Sequence, residues 1–268
     1  DCGGGLFLSH TNANITDSTI EGNQATQGAG VYLNDPPDTA EADCTGSHTH
    51  NITRTNINRN TASSIGGGMY VGLKSNVTLT GSTLDGNATT DKTGGQGGAI
   101  VAYSAGDITL DSTTVTNNDA AAGGGIYSLG TAGSDTHITK FTGNTAASGA
   151  GIYLVRSSGN NILLELSDSA IDNNTASSGG GIFAYNGVQI NANKASFNGN
   201  KAANGAGIYL YGYDPNNKVM AELTDSFIDN NIASDWGGGI FAYNGAEVKA
   251  NNTSISNNKG GYAGGLLV

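Results

Sequence analysis

One unit recurs along this chain and restricts its fold more than any other feature. The unit reads: an apolar residue, two residues, Asn, a stretch of small residues, a Gly-rich triplet, Ile or Val, then an aromatic. The clearest copy runs from Ile171 through Asn174 and Gly179-Gly180-Gly181 to Ile182-Phe183. Its near twin runs from Ile228 through Asn231 and Gly237-Gly238-Gly239 to Ile240-Phe241. The repeated Asn falls at Asn23, Asn60, Asn87, Asn118, Asn144, Asn174, Asn200, Asn231 and Asn258. After a first gap of 37 the spacing stays between 26 and 31, and the later gaps alternate short and long. A basic repeat of one coil therefore lies under a superrepeat of two, the mark of a duplicated coil pair.

A period of this length admits leucine-rich repeats or a β-helix. No Leu-x-x-Leu-x-Leu pattern recurs, which removes the first. Within each unit apolar residues alternate over short runs, as in Val188-Gln189-Ile190-Asn191, between Gly/Asn turns. Such runs are strands, about three per unit. The reading is an all-β chain: one parallel β-helix domain over 1–268, of about nine to ten rungs stacked ~4.8 Å apart. Composition agrees. Gly numbers 43, and each Gly costs a helix interior roughly 1 kcal/mol, so a helical bundle is excluded. Pro numbers only 3, which excludes collagen. No apolar run is long enough for a membrane-spanning helix.

Stacking assigns roles to the repeated residues. The Ile or Val after the glycines points inward, and the next residue outward, because strand side chains alternate. That outward column is Phe7, Tyr32, Tyr70, Tyr127, Tyr153, Phe183, Tyr209 and Phe241. It either binds glycans or a neighbouring rod, or simply stacks ring on ring. The Asn column is expected to be a hydrogen-bonded ladder at a corner. Spans 33–54, 155–167 and 211–224 are expected to leave the rod as loops or extended strands.

Gly97-Gly98-Ala99-Ile100, Phe141-Thr142-Gly143-Asn144 and Phe197-Asn198-Gly199-Asn200 carry a resemblance. Gly-Gly-Ala-Ile with Phe-x-x-Asn resembles the repeats of the chlamydial polymorphic outer-membrane proteins and of similar extracellular right-handed β-helix proteins. The resemblance implies a right-handed coil. It also implies an extracellular or cell-surface place, in the passenger region of an adhesin.

Charge limits the partners. Eleven Lys and Arg against 22 Asp and Glu give a net charge of −11. A nucleic-acid partner needs the opposite balance. Cys2 and Cys44 suggest one disulfide in an oxidising compartment, tying the first excursion to the first rung. Asn14, Asn51, Asn76, Asn87, Asn251 and Asn252 open glycosylation triplets.

Catalytic constellations are sparse. Lyases of this fold need clustered carboxylates for calcium and a basic residue, but the only Arg are Arg54, Arg59 and Arg156. Glu21, Asp85, Asp172 and Asp229 share one repeat position, two rungs apart within each pair, and read as a recurring surface site. His48 and His50 share a strand face and admit a metal, against a polar loop. Asp35, Asp38, Glu41 and Asp43 admit a calcium ion, against a solvated acidic loop. The expectation is therefore no catalytic residue, no metal site and no cofactor. The expected function is a non-enzymatic structural or adhesive protein, with a polysaccharide-active enzyme or glycan-binding module as the alternative.

The chain opens in the second half of a repeat and stops within a Gly-apolar strand, with no capping segment and no leader. That predicts a processed or excised segment. The expectation is that it stacks head to tail with further copies of itself, or forms part of a longer solenoid.

Overall fold

A computed structural model describes residues 2–34, 47–103, 107–130, 134–137, 139–156, 161–214 and 217–268, with the backbone alone at 134–137. Its strands wind into a solenoid of three long sheets, and every pairing among the described residues is parallel. The first sheet has ten strands, from Leu6–Leu8 to Leu266–Leu267. The second has nine, from Ala13–Thr16 to Glu247–Asn251. The third has nine, from Thr19–Glu21 to Ser254–Ser256. Each rung visits them in that order, which is the predicted parallel β-helix.

The core is a set of aliphatic columns. Ile100, Ile126, Ile152, Ile182, Ile208 and Ile240, each following a Gly-rich corner, are adjacent in register and essentially inaccessible. The third sheet contributes Ile57, Leu84, Val115, Phe141, Ile171, Phe197 and Ile228 from its central position. Burying such side chains contributes roughly 1.5–3 kcal/mol each, and every rung adds several. Stability therefore grows rung by rung.

The excursions are narrower than expected. His48–Thr53, Ile162–Ser167 and Met220–Thr224 fall inside the three spans, yet they are strands of the second sheet. Ile162, Leu164 and Leu166 are buried while Leu163 and Glu165 face out, an ordinary half-buried alternation. The polar outer face of this sheet hid the pattern. Residues 35–46, 157–160 and 215–216 lie outside the described residues.

The corner before each ladder Asn explains the two-coil superrepeat. The preceding residue has a positive φ in every described rung and alternates Gly86, Asn117, Gly143, Asn173, Gly199, Asn230. A Cβ at Gly143 would lie 2.8 Å from the Asn117 Oδ1, and one at Gly199 2.6 Å from the Asn173 Oδ1. The Asn side chain of one rung thus occupies the space that only Gly leaves free on the next.

Candidate functional site

The Asn column is a continuous ladder. In each rung the Asn backbone N–H and side-chain amide both donate to the Oδ1 of the next Asn. Asn144 does so to Asn174 at 3.0 and 3.0 Å, and Asn174 to Asn200 at 3.0 and 3.1 Å. The other amide hydrogen goes back to a third-sheet carbonyl, as from Asn174 to Phe141 O at 2.9 Å. The same pattern runs from Asn23 to Asn258. Asn60 to Asn231 are fully buried. An Asn fits because one short side chain offers two donors and a two-lone-pair acceptor. The ladder is structural and leaves nothing for a ligand.

A second ladder was missed in the sequence. Ser18, Thr55, Ser82, Thr113, Thr139, Ser169, Ser226 and Thr253 each stand five residues before a ladder Asn, and Ala195 takes the place once. Thr113 Oγ1 donates to Leu79 O and Asp111 O, and Ser226 Oγ accepts from the Ala195 N–H at 3.1 Å. The fixed offset was the available signal. It was masked because Ser and Thr abound throughout the chain.

The predicted aromatic column exists on the outer face of the first sheet. Phe7, Tyr32 and Tyr70 stack at 5.2 and 4.6 Å between ring centroids. Tyr127, Tyr153 and Phe183 stack at 5.0 and 4.9 Å with planes within 6°. Tyr209 meets Phe183 edge-on and lies parallel to Phe241. The column is less exposed than an outward position suggests, because each ring covers its neighbour: Tyr32 and Tyr127 are buried. Burial raises the phenol of Tyr70 to about 12, helped by the neighbouring tyrosines, and raises Tyr127 further. Parallel rings present edges and hydroxyls to solvent, so ring faces inside the column are closed to a ligand.

Sequence reasoning missed two further parts of this face. Val101 interrupts the column, and Tyr103, two residues on, leans across it to lie 6.0 Å from Tyr70 and 6.1 Å from Tyr127. Its hydroxyl reaches Gln96. The other part is a second column, Tyr185, Tyr211 and Tyr243, stacked at 5.3 and 5.6 Å. Period-2 alternation places these rings beside Phe183, Tyr209 and Phe241, so the signal was present.

The acidic residues of the third sheet stay apart. In register Asn58 separates Glu21 from Asp85, and Asn198 separates Asp172 from Asp229. Partial burial raises the Asp172 carboxyl, while the Asn198 N–H, 2.9 Å away, and the Ser196 hydroxyl pull the other way. Arg54 forms a two-point pair with Asp17 at 2.6 and 2.7 Å, and Arg59 pairs with Glu21. Each of these two Arg faces one carboxylate rather than a cluster. On the second sheet Glu165, Asn191 and Glu222 are register neighbours along a polar recess of about 330 Å³.

The right-handed β-helix region matches residues 1–222. The chain belongs to the right-handed β-helix family. Residues 225–243, which hold the twin unit ending in Phe241, match the Chlamydia polymorphic membrane protein repeat. That match suggests a surface protein of autotransporter-like type. No curated protein and no solved structure matches the chain.

Within this β-helix the remaining candidates fall as follows. Asn87 is corrected as a glycosylation position: it is inaccessible, and both its amide hydrogens are used, toward Ile57 O and Asn118 Oδ1. Asn14 and Asn51 are exposed neighbours on adjacent strands, joined at 2.9 Å. Asn76 is half-buried, and Asn251 and Asn252 are exposed. His48 and His50 lie on a strand rather than a loop, and His50 is buried beside Val77, facing the core. Among the described residues no group of three or more His, Cys, Asp or Glu is placed to hold a metal. Asp35, Asp38, Glu41, Asp43 and Cys44 lie outside the described residues, while Cys2 is exposed, 3.8 Å from Gln27 Oε1. No described helix is long and apolar enough to cross a membrane.

Proposed function

We propose that this β-helix is a non-enzymatic, extracellular, adhesive scaffold that displays its outer faces from a surface. The match of 225–243 to a polymorphic membrane protein repeat carries the reading. It is supported by where the repeated residues go: Asn, Ser/Thr and most aromatic repeats are spent on rung-to-rung contacts. Repetition here builds length and stiffness, as a stalk or adhesin requires. Each rung also donates its ladder Asn to one side and accepts on the other. A rung face is thus complementary to the opposite face of another rung, in a continuing chain or a second copy. Head-to-tail assembly of copies is part of the proposal, and light scattering tests it: a stable 26.9 kDa monomer at high concentration would remove it.

A second reading, a glycoside hydrolase, is favoured by one observation. Glu165 and Glu222 flank Asn191 two strands apart, roughly 10 Å by strand spacing, near the upper separation used by inverting enzymes. Incubation with neutral and acidic polysaccharides separates the two readings. We expect no new reducing ends. Turnover abolished by Glu165→Gln or Glu222→Gln would establish the enzyme instead.

A further inference from the structure

The outer face of the second sheet changes character along the rod. In its first rungs two rows run across the strands in unbroken register. One is Asn14, Asn51, Thr78 and Thr109; beside it lie Thr16, Thr53, Thr80 and Asp111. Thr49 and Asn76 begin a third row. A charge enters the first two rows only at Asp111. Farther along, the same face carries Glu165, Glu222, Glu247 and Lys249. The neutral part is held in place. The Asn51 amide donates to Asn14 Oδ1 at 2.9 Å, and the Asp107 N–H donates to Asn76 Oδ1 at 2.9 Å. Thr is stiff at χ1, and the inward residues between the rows, Ile52, Leu79 and Leu110, are fully buried. Asn14, Thr16, Thr49 and Asn51 are exposed, and Thr53, Thr78, Thr80 and Thr109 are half-buried. The result is a rigid net, with groups ~4.8 Å apart along a row and about 6.7 Å apart along a strand.

The chemistry of this net excludes most partners. Without charge it gives an ionic partner nothing to pair with. Without an outward aromatic or large apolar residue it lacks the anchors of a protein interface and the platform on which a sugar ring stacks. Apart from Asp111, it offers hydroxyls and amides, and each of these both donates and accepts hydrogen bonds. That is the chemistry of water itself. One water held by one such group gains little over bulk water. A rigid net gains only against water molecules already held at matching spacing, because all the contacts then form together. Ice is such a lattice: its prism face presents oxygens on a rectangular net whose two spacings are close to those of the rows and strands.

We propose that the Asn/Thr face of the second sheet binds ice, with Asn14, Asn51, Thr78 and Thr109 in one row of contacts and Thr16, Thr53 and Thr80 in the next. This activity goes beyond the adhesive reading and does not depend on it.

Nanolitre osmometry of the full chain tests this. Because Asn14, Asn51 and Asn76 open glycosylation triplets within the net, the chain is made without sugars in a bacterial host. A seed crystal held in the protein solution is expected to stop growing below its melting point and to take a faceted shape. Thr78→Tyr sets a bulky ring at the centre of the net and is expected to abolish the gap between melting and freezing, because one protrusion lifts the neighbouring groups off the lattice. Thr53→Tyr is a second probe of the same kind, and circular-dichroism melts show which of the two variants folds. Thr114→Tyr on the third sheet and Glu222→Tyr on the charged part of the same face should keep the full gap. No gap with the folded, unsubstituted chain, a gap that survives in a folded Thr78→Tyr or Thr53→Tyr protein, or an equal loss in Thr114→Tyr would overturn the proposal.

Discussion

Replacing Asn174 by Ala tests the ladder most directly. Asn174 Oδ1 accepts from the Asn144 N–H and the Asn144 amide, both at 3.0 Å, and the Asn174 amide donates to Phe141 O at 2.9 Å. Ala removes these three bonds and the amide's bond to Asn200 Oδ1 at 3.1 Å, at a site with no solvent access; Asn200 Oδ1 keeps the Asn174 N–H, so three groups lose their partner. Each buried group left without a partner costs about 1–3 kcal/mol. Three such groups give about 3–9 kcal/mol, and water entering the vacated space brings the expectation to the lower part, about 3–5 kcal/mol. The measurement is urea unfolding followed by circular dichroism, with hydrogen exchange at the Asn144 amide as a local readout. Asn217→Ala is the control, since that side chain reaches only Asp214 in a loop. Asn174→Asp adds a sign test. It keeps the acceptor for Asn144 but sets a carboxylate against the Phe141 carbonyl and Asn200 Oδ1. Its folded-state pKa is therefore raised, and its deficit should grow as pH rises through the unfolded carboxyl value of about 4. A cost below about 1 kcal/mol for Asn174→Ala, or equal to that of Asn217→Ala, would refute the ladder argument.

Three further outcomes follow from the columns. Tyr70 is held to about 12 by burial, with Tyr103, Tyr127, Tyr153 and Tyr209 also raised, so their folded state keeps protons that the unfolded chain loses near pH 10. Their contribution should be constant from neutral pH to about 10 and be lost between about 10 and 12, with melting temperature and tyrosinate absorbance changing together; a melting temperature unchanged from about pH 8 through pH 12 contradicts the burial. Gly199→Asn should destabilise, because its side chain meets Asn173 Oδ1, while the swap Asn173→Gly with Gly199→Asn should recover part of the loss in a double-mutant melt series. Tyr103→Ala uncovers Val101 and breaks two ring contacts, and should cost about 1–3 kcal/mol in urea unfolding, against less than about 0.5 for exposed Tyr213→Ala.

Much of this architecture was legible in the residues themselves. A β-helix lays equivalent positions directly over one another, so a repeated Asn or Ile in the sequence becomes a column without further information. The spacing of Asn144, Asn174 and Asn200 therefore specified the ladder, and Ile182-Phe183 specified which residue faces in. What the period cannot express is how neighbours on adjacent rungs share space. Tyr103 fills the gap over Val101 because the small side chain leaves room there, a matter of distances between rungs. The triplet at Asn87 looked like its exposed counterparts at Asn14 and Asn51, yet its amide is enclosed by Ile57 and Asn118 from two other rungs. Glu165 and Glu222 share a recess only because coiling brings segments 57 residues apart to within two strands of each other, with Asn191 between them. The chain's periodicity determined the coil and its columns; the stacked structure alone decided which side chains are used up inside it and which are left facing outward for a partner, because that depends on contacts between rungs.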